Sequence, residues 1–396
     1  HATAPPNEGG RQVSTEHGGA QVHEHRVLCL SHLGWDGVWQ RPQQVLSRLA
    51  RHTPVLHVNE PRLSRSSAGD VRVEVVAHRP GLTALQPVFP DRPEVVARWR
   101  ELYVRLLRHE VARRRWLGGA LVAWFSTPVP FYVVDHLPFD VVVYDVMDEL
   151  AGFRGAAADL RAREDRLLSE ADVVFAGGRS LFESRRRRHP NVHLFPSGVD
   201  AGHWTGEAVA PEIAALRRPV LGYVGVVDER VDLALVDALA ASQPDWSVVL
   251  VGPVAKIEPA RVPRRANVHH LGQQPYERLP SIVAGFDVAL MPFALNAATR
   301  FISPTKALEY MAARRPVVST PVPDVVAQWE GVVEIADGAE AFAGAVEKVL
   351  SEPPEWRQAR LVAQDRLVAA GGWDRIVEGM WHEVAAVASR ASSPVG

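Results

Sequence analysis

From Arg26 onward the chain alternates short runs of β-branched and aliphatic residues with stretches of helical period, the pattern of βαβ units built on parallel sheets. The runs fall into two series. RVLCLS, VLHVN, LVAWFS, VVVYDV, DVVFAG and NVHLFP predict strands in the first; VLGYVGVV, SVVLVGP, VHHLG, DVALMPF, PVVST and VVEIA predict them in the second. Between the series, PSGVDAGHWTGEAVAPEIAALRRP is rich in turn residues and predicts a linker near residues 197–217. Residues 354–388 read as helical, a tail expected to pack back on the first domain. The fold class is therefore α/β, with two doubly wound Rossmann-like domains whose strand ends face each other across a ligand-binding cleft. The predicted division is a disordered tail at 1–25, a first Rossmann-like domain at 26–200, a second at 201–370, and a crossover helix with its tail at 371–396.

Composition narrows the picture without changing it. A chain of 396 residues with 47% hydrophobic residues has room for two cores. A net charge of −2 argues against nucleic acid as a partner, and the three lysines among forty-four cations carry no mechanistic content by their rarity. Cys29 is the only cysteine and cannot close a disulfide within the chain, which points to a reducing cytosol. No apolar run reaches the roughly 18 residues needed to cross a bilayer, and residues 1–25 lack the hydrophobic region of a leader, so a cytoplasmic protein is expected.

The chemistry concentrates in three places. SPTKALEYMAARRPVVSTPVPDVV, from Ser303 to Val326, has the order of a helix start, a short helix and a buried strand. Ser303 is the expected N-cap and Pro304 the first helical residue, so free backbone donors near Thr305 and Lys306 suit a phosphate. Lys306 and Glu309 share one face, the lysine as a point charge and the glutamate as an acceptor for vicinal hydroxyls. The same spacing also describes an ordinary surface ion pair. After the first predicted strand, SHLGWDGVWQRPQQ places Gly34, Gly37, Asp36 and Arg41 at the mouth of the cleft, with Trp35 and Trp39 either stacking on a ligand ring or filling core space. YDVMDEL supplies Asp145, Asp148 and Glu149 at a strand end. Asp148 is the expected base if a hydroxyl is deprotonated; the alternative is an acidic cluster that offsets a helix dipole. Ser126 and Thr127 end another strand. His32, His57 and His136 read as structural, and no motif with metal-ligand spacing is present. Residues 98–117 form a predicted amphipathic helix with seven arginines, which with RRRRH at 185–189 offers a peripheral contact with the inner membrane face.

Taken in order, LGYVGVVDERVDLALV, DWSVVLVGP, NVHHLGQQPYERLPSIVAGFDVALMPF and SPTKALEYMAARRPVVSTPVPDVV resemble the donor domain of GT-B glycosyltransferases of family 4, and SHLGWDGVWQRPQQVLSRLA, VVVYDVMDELAGF and ADVVFAGGRSLFE resemble their first domain. The resemblance spans most of residues 26–385. It implies a retaining transferase using a nucleoside diphosphate sugar, UDP before GDP, with a hydroxyl on a small molecule, glycan or lipid-linked acceptor and with no required cofactor or metal. It assigns Glu309 to the donor ribose, the Ser303–Lys306 loop to the distal phosphate, Gly225 to the diphosphate and Arg230 to leaving-group charge. Gly272 and Gln273 would read the nucleobase edge. Phe301 stands eight positions before Glu309, where the family carries a glutamate that contacts the donor sugar, and Asn296, Thr299 and Arg300 are the polar residues nearby. Arg314 occupies a position usually held by glycine. The competing readings are a nucleotide-sugar epimerase of the same fold and a binding-only relative.

Overall fold

The computed structural model describes residues 25–64, 69–114, 119–153, 155–206 and 208–391; residues 1–24 of the tail predicted at 1–25, Trp116 and the last five residues lie outside them, and His25 of that tail begins the first strand. Two sheets organise the chain. The first holds β1 (His25–Ser31), β2 (Val55–Asn59), β3 (Arg62–Ser64), β4 (Arg72–Arg79), β5 (Leu82–Pro90), β6 (Ala120–Phe125), β7 (Val141–Val146), β8 (Val173–Ala176) and β9 (Val192–Leu194). Its order is β3-β5-β2-β1-β6-β7-β8-β9, with β4 paired to β5. The second holds β10 (Val220–Val224), β11 (Ser247–Val251), β12 (Val268–His270), β13 (Val288–Met291), β14 (Val317–Ser319) and β15 (Glu334–Ile335), in the order β12-β11-β10-β13-β14-β15. Both orders reverse beside the first strand of their series, at β1/β6 and β10/β13, where a doubly wound sheet opens a crevice at its carboxyl edge.

The uninterrupted apolar runs are explained by burial on both faces. β2, β6, β7, β8, β10, β11 and β13 are buried along their whole length. The sequence pattern passed over the β4–β5 pair, the one antiparallel pairing in the first sheet. β4 is an edge strand that mixes exposed and half-buried positions, so it lacks the continuous apolar run that marks the other strands.

The helical tail divides between the domains. Pro354–Ala370 stays on the second domain, where Val368 joins its core. Trp373–Ala391 crosses back: Trp373, Val377, Met380, Val384 and Ala388 recur at helical spacing and pack with Val27, Cys29, Trp124 and Phe175 under the first sheet.

Helix Trp99–Arg113 departs from the membrane-facing expectation, because its apolar side is already covered. Tyr103, Val104 and Leu107 are buried in the first core and Trp99, Leu102 and Leu106 pack against it. Nor is RRRRH a free basic patch. Arg185 is 1% exposed between Glu149 and Glu164, Arg186 pairs with Glu183 and Arg188 with Asp165. Among the described residues no helix is long and apolar enough to cross a membrane.

Candidate active site at the domain cleft

One wall of the cleft is built at the carboxyl edge of the second sheet. β10 runs into Gly225, and the crossing of Gly225 with Gly252 after β11 is so close that a Cβ on Gly252, at φ 142°, would overlap the Gly225 carbonyl oxygen. The loop that follows is pinned by Arg230. Its Nε donates to both Asp228 oxygens at 3.0 and 3.1 Å and its Nη2 at 2.8 Å, while its own backbone N–H reaches Asp228 Oδ1 at 2.9 Å. The helix Lys306–Ala312 is fixed to the end of β10 because Tyr310 Oη accepts a 2.8 Å hydrogen bond from the Val224 N–H. That brings Glu309 beside Gly225 in one cavity. Lys306 Nζ lies 3.0 Å from Glu309 Oε2, and both side chains are largely buried.

The helix begins two residues later than its sequence suggests. Thr305 is the N-cap and its side chain makes no capping bond, while the Ser303 hydroxyl accepts a long 3.5 Å contact from Gln328. Ser303, Pro304 and Thr305 therefore form a non-helical lip of the cavity. At the other end Arg314 takes φ 58°, the left-handed conformation in which glycine carries no Cβ penalty.

The facing wall belongs to the first domain. Trp39 stacks on Tyr276 of the second domain (centroids 5.8 Å apart, 26° between planes), and Gln44 Nε2 donates to the Tyr276 hydroxyl at 3.1 Å. Asp148, half-buried at the end of β7, faces Arg230 and Lys256 from the second domain. Burial pushes its carboxyl up to about 6; Asp228 adds to the rise, while Arg230 and Lys256 oppose it. His32 is held neutral, its pKa lowered to about 4 by burial and further by Lys256. Lys256 lies over the Phe153 ring at 4.7 Å. No local pattern marks its place, since the residue sits at φ 58° in an irregular loop. Asp228 was legible in principle, as the carboxylate two residues before Arg230.

The cavity between the walls, about 140 Å³, is lined by Arg41, Asp148, Gly225, Arg230, Ser303, Thr305, Lys306 and Glu309 from the predicted set, and also by Trp39, Tyr223 and Trp373. Next to it, on the Asp228 side of the Arg230 loop, a second cavity of about 480 Å³ is lined by Phe153, Asp232, Arg261 and Asn296. The smaller one lies below the roughly 300 Å³ at which small-molecule pockets begin.

The remaining candidates lie elsewhere. Trp35 is 4% exposed: its backbone N–H donates to Asn59 Oδ1 at 3.0 Å, and its ring packs edge-on against His57 and Trp39, which places it in the core and outside the cleft cavity. Arg41 lines the cavity but is committed to Asp145 and to the Phe195 carbonyl. Gly34 serves its own loop, its carbonyl accepting from Gly37 N–H and Gln43 Nε2, and Asp36 points to solvent. Thr299 is 1% exposed and turns its hydroxyl onto the Ala294 carbonyl, so it stabilises a loop and is not presented to a ligand. Ser126 is buried with an unpartnered hydroxyl. Gly272, at φ 66°, and exposed Gln273 sit at the outer end of the second sheet, beyond the cavity. Phe301 does something an acid could not: its ring packs against the core of the first domain. A second link between domains is Asp324, whose Oδ1 accepts from the Ser180 N–H at 3.0 Å and from its hydroxyl.

Comparison with known proteins agrees with this arrangement. Residues 218–352 match the sequence model of the family described as Glycosyl transferases group 1. A Bacillus subtilis (strain 168) protein, TuaH, named for a glycosyltransferase role in teichuronic acid biosynthesis, is 25% identical over 257 residues, which take in 59% of this chain and 65% of the relative. Among solved structures, sucrose-phosphate synthase from Thermosynechococcus elongatus superposes with a TM-score of 0.70 at 17% identity, over 92% of this chain and all of that one. An E. coli trehalose-6-phosphate structure bound with UDP-2-fluoro glucose gives 0.66 at 11%, over 92% and 99%. An α,α-trehalose-phosphate synthase from Burkholderia xenovorans in complex with glucose-6-phosphate gives 0.66 at 12%, over 91% and 100%. Two doubly wound sheets facing across a cleft give the chain the GT-B fold of these solved structures, and the wall that carries Lys306 and Glu309 lies within the stretch that matches the group 1 family.

Proposed function

We propose that this protein transfers a sugar from a nucleoside diphosphate sugar, UDP-linked, to a hydroxyl acceptor with retention of anomeric configuration. The observation that carries the reading is the convergence in one cavity of Lys306, Glu309 and Arg230 from the group 1 domain with Asp148 from the facing domain. Glu309 accepts from the ribose hydroxyls, and Lys306 and Arg230 meet the diphosphate, whose charge grows as the anomeric bond breaks. The acceptor oxygen bonds to the anomeric carbon on the face the diphosphate leaves, and its proton passes to Asp148. Support for UDP comes from the E. coli neighbour and its bound UDP-2-fluoro glucose. Two cations already face the leaving group, so the transfer rate is expected to be the same in EDTA as in Mg²⁺.

The test is thermal unfolding against UDP, GDP, ADP and dTDP. A nucleotide at 100 times its Kd adds about 2.7 kcal/mol of stability, and UDP is expected to give the largest shift. Glu309→Ala should weaken UDP binding by about 1.5 to 3 kcal/mol, and Lys306→Ala should weaken UDP more than uridine. Unchanged binding in both variants would remove the donor site from this helix. NMR of the product anomer decides the stereochemistry, and an inverted product would end the same-face mechanism while leaving Asp148 as the base.

A further inference from the structure

A third cavity, about 340 Å³ in volume, lies wholly within the first domain and takes no part in the donor site. It opens at the carboxyl edge of the sheet. Leu30 and Ser31 close β1, Glu60 and Pro61 follow β2, Phe89 lies near the end of β5, and Val129 and Pro130 follow β6. This edge is where a doubly wound domain receives its own ligand. Its walls are aromatic: Phe89, Trp99, Tyr103 and Tyr132. Leu63, 51% exposed, and Val96, 39% exposed, stand at its rim, two of the few large apolar side chains left in solvent. Glu60 is the only charged residue among the described residues that line it, which disfavours an anionic ligand, while Arg100 stays outside the lining, over the Trp99 and Tyr132 rings at 5.6 and 5.3 Å. The Tyr132 hydroxyl is buried without a hydrogen-bond partner. The cavity is also continuous in sequence with the transfer centre. Ser31 lines it, and the next residue, His32, is near enough to Lys256 of the cleft to feel its charge, as Asp148 does.

We propose that this cavity binds an uncharged aryl group carried by the acceptor, holding it so that the acceptor's hydroxyl projects past His32 toward Asp148. The inference rests on the transferase reading and gives its acceptor a chemical class: an aryl-bearing molecule of one or two rings. Four aromatic walls favour a flat ring, and the volume accommodates a ring system but not a branched glycan.

The test titrates the full chain with 4-nitrophenyl β-D-glucopyranoside and with methyl β-D-glucopyranoside by calorimetry, alongside UDP. The aryl probe is expected to bind at least about tenfold more tightly than the methyl probe, as burial of a ring predicts. Leu63→Glu and Val96→Glu, both at exposed positions that should not disturb folding, are expected to abolish that preference while UDP binds as to the parent. Equal binding of the two probes, or a preference that survives both substitutions, overturns the proposal. Co-sedimentation with vesicles of phosphatidylcholine and phosphatidylglycerol that is lost in the same two variants would also overturn it, by making the rim a membrane contact. A chain that binds the aryl probe through this rim but no nucleotide would keep the cavity and discard the transferase reading, so the two can fail separately.

Discussion

Asp148→Asn is expected to make the protein more stable and less active at the same time. The carboxyl is held at about 6 in the folded chain, above its ordinary value of 3.8, chiefly by burial. The folded state thus binds this proton more tightly than the unfolded state does. The stability linked to it is fully present below pH 3.8 and is lost as pH rises through about 6. At pH 7.5 the ionised group costs up to about 3 kcal/mol, which an uncharged amide of the same shape avoids. Thermal unfolding of parent and variant should therefore coincide near pH 4, separate in the variant's favour between pH 4 and 6, and stay apart by a constant amount above that. In the same comparison, transfer should fall by about 10² to 10⁴-fold, the range for loss of a positioned base, and the parent's rate should rise with pH through about 6. Equal melting temperatures at pH 7.5 would show that the carboxylate is well solvated and would remove the physical basis for its role.

Arg41→Ala is expected to produce the opposite signature, a loss of stability whose size is set by burial. Arg41 and Asp145 are 4% and 1% exposed. The guanidinium meets the carboxylate through Nε at 2.9 Å and Nη2 at 2.8 Å, and also donates to the Phe195 carbonyl at 2.8 Å. This joins the helix Arg41–Leu49 to β7 and to the segment leaving β9. Removing the cation strands a buried anion, at a cost of about 3 to 5 kcal/mol. Arg41→Met combined with Asp145→Leu should recover most of that loss, because no charge is then left unpaired. Urea midpoints of the parent, Arg41→Ala and the double variant decide the matter. A single-variant loss below about 1 kcal/mol would mean that water reaches Asp145.

These two residues also show what the sequence could and could not convey. The wall that carries Lys306 and Glu309 was legible because its signals are local. Lys306 and Glu309 are one helical turn apart, and the strands around them are buried on both faces, so each leaves an unbroken apolar run. Arg41 could not be separated from a cleft cation, because its partner lies 104 residues away. Trp35 and Trp39 share a loop and a residue type. The Trp35 N–H bond to Asn59 turns one indole toward His57, and contact with Tyr276 of the other domain holds the second in the cleft. Lys256 is beyond sequence reasoning for a related reason: its neighbours Asp148 and His32 belong to the opposite domain. Ser303 misled through a correct rule applied two residues early, since Thr305 is the first residue to approach helical geometry.

Phe301 changes what holds the cleft shut. Eight positions before Glu309 this chain puts a phenyl ring, and the ring rests on apolar side chains of the facing domain. Parting the domains wets that ring, and hydration of apolar surface carries a positive heat capacity. This portion of closure should therefore be weakest in the cold, strengthened by sulfate and nearly indifferent to sodium chloride at moderate concentration. Temperature then sets, in part, how long the cleft stays open.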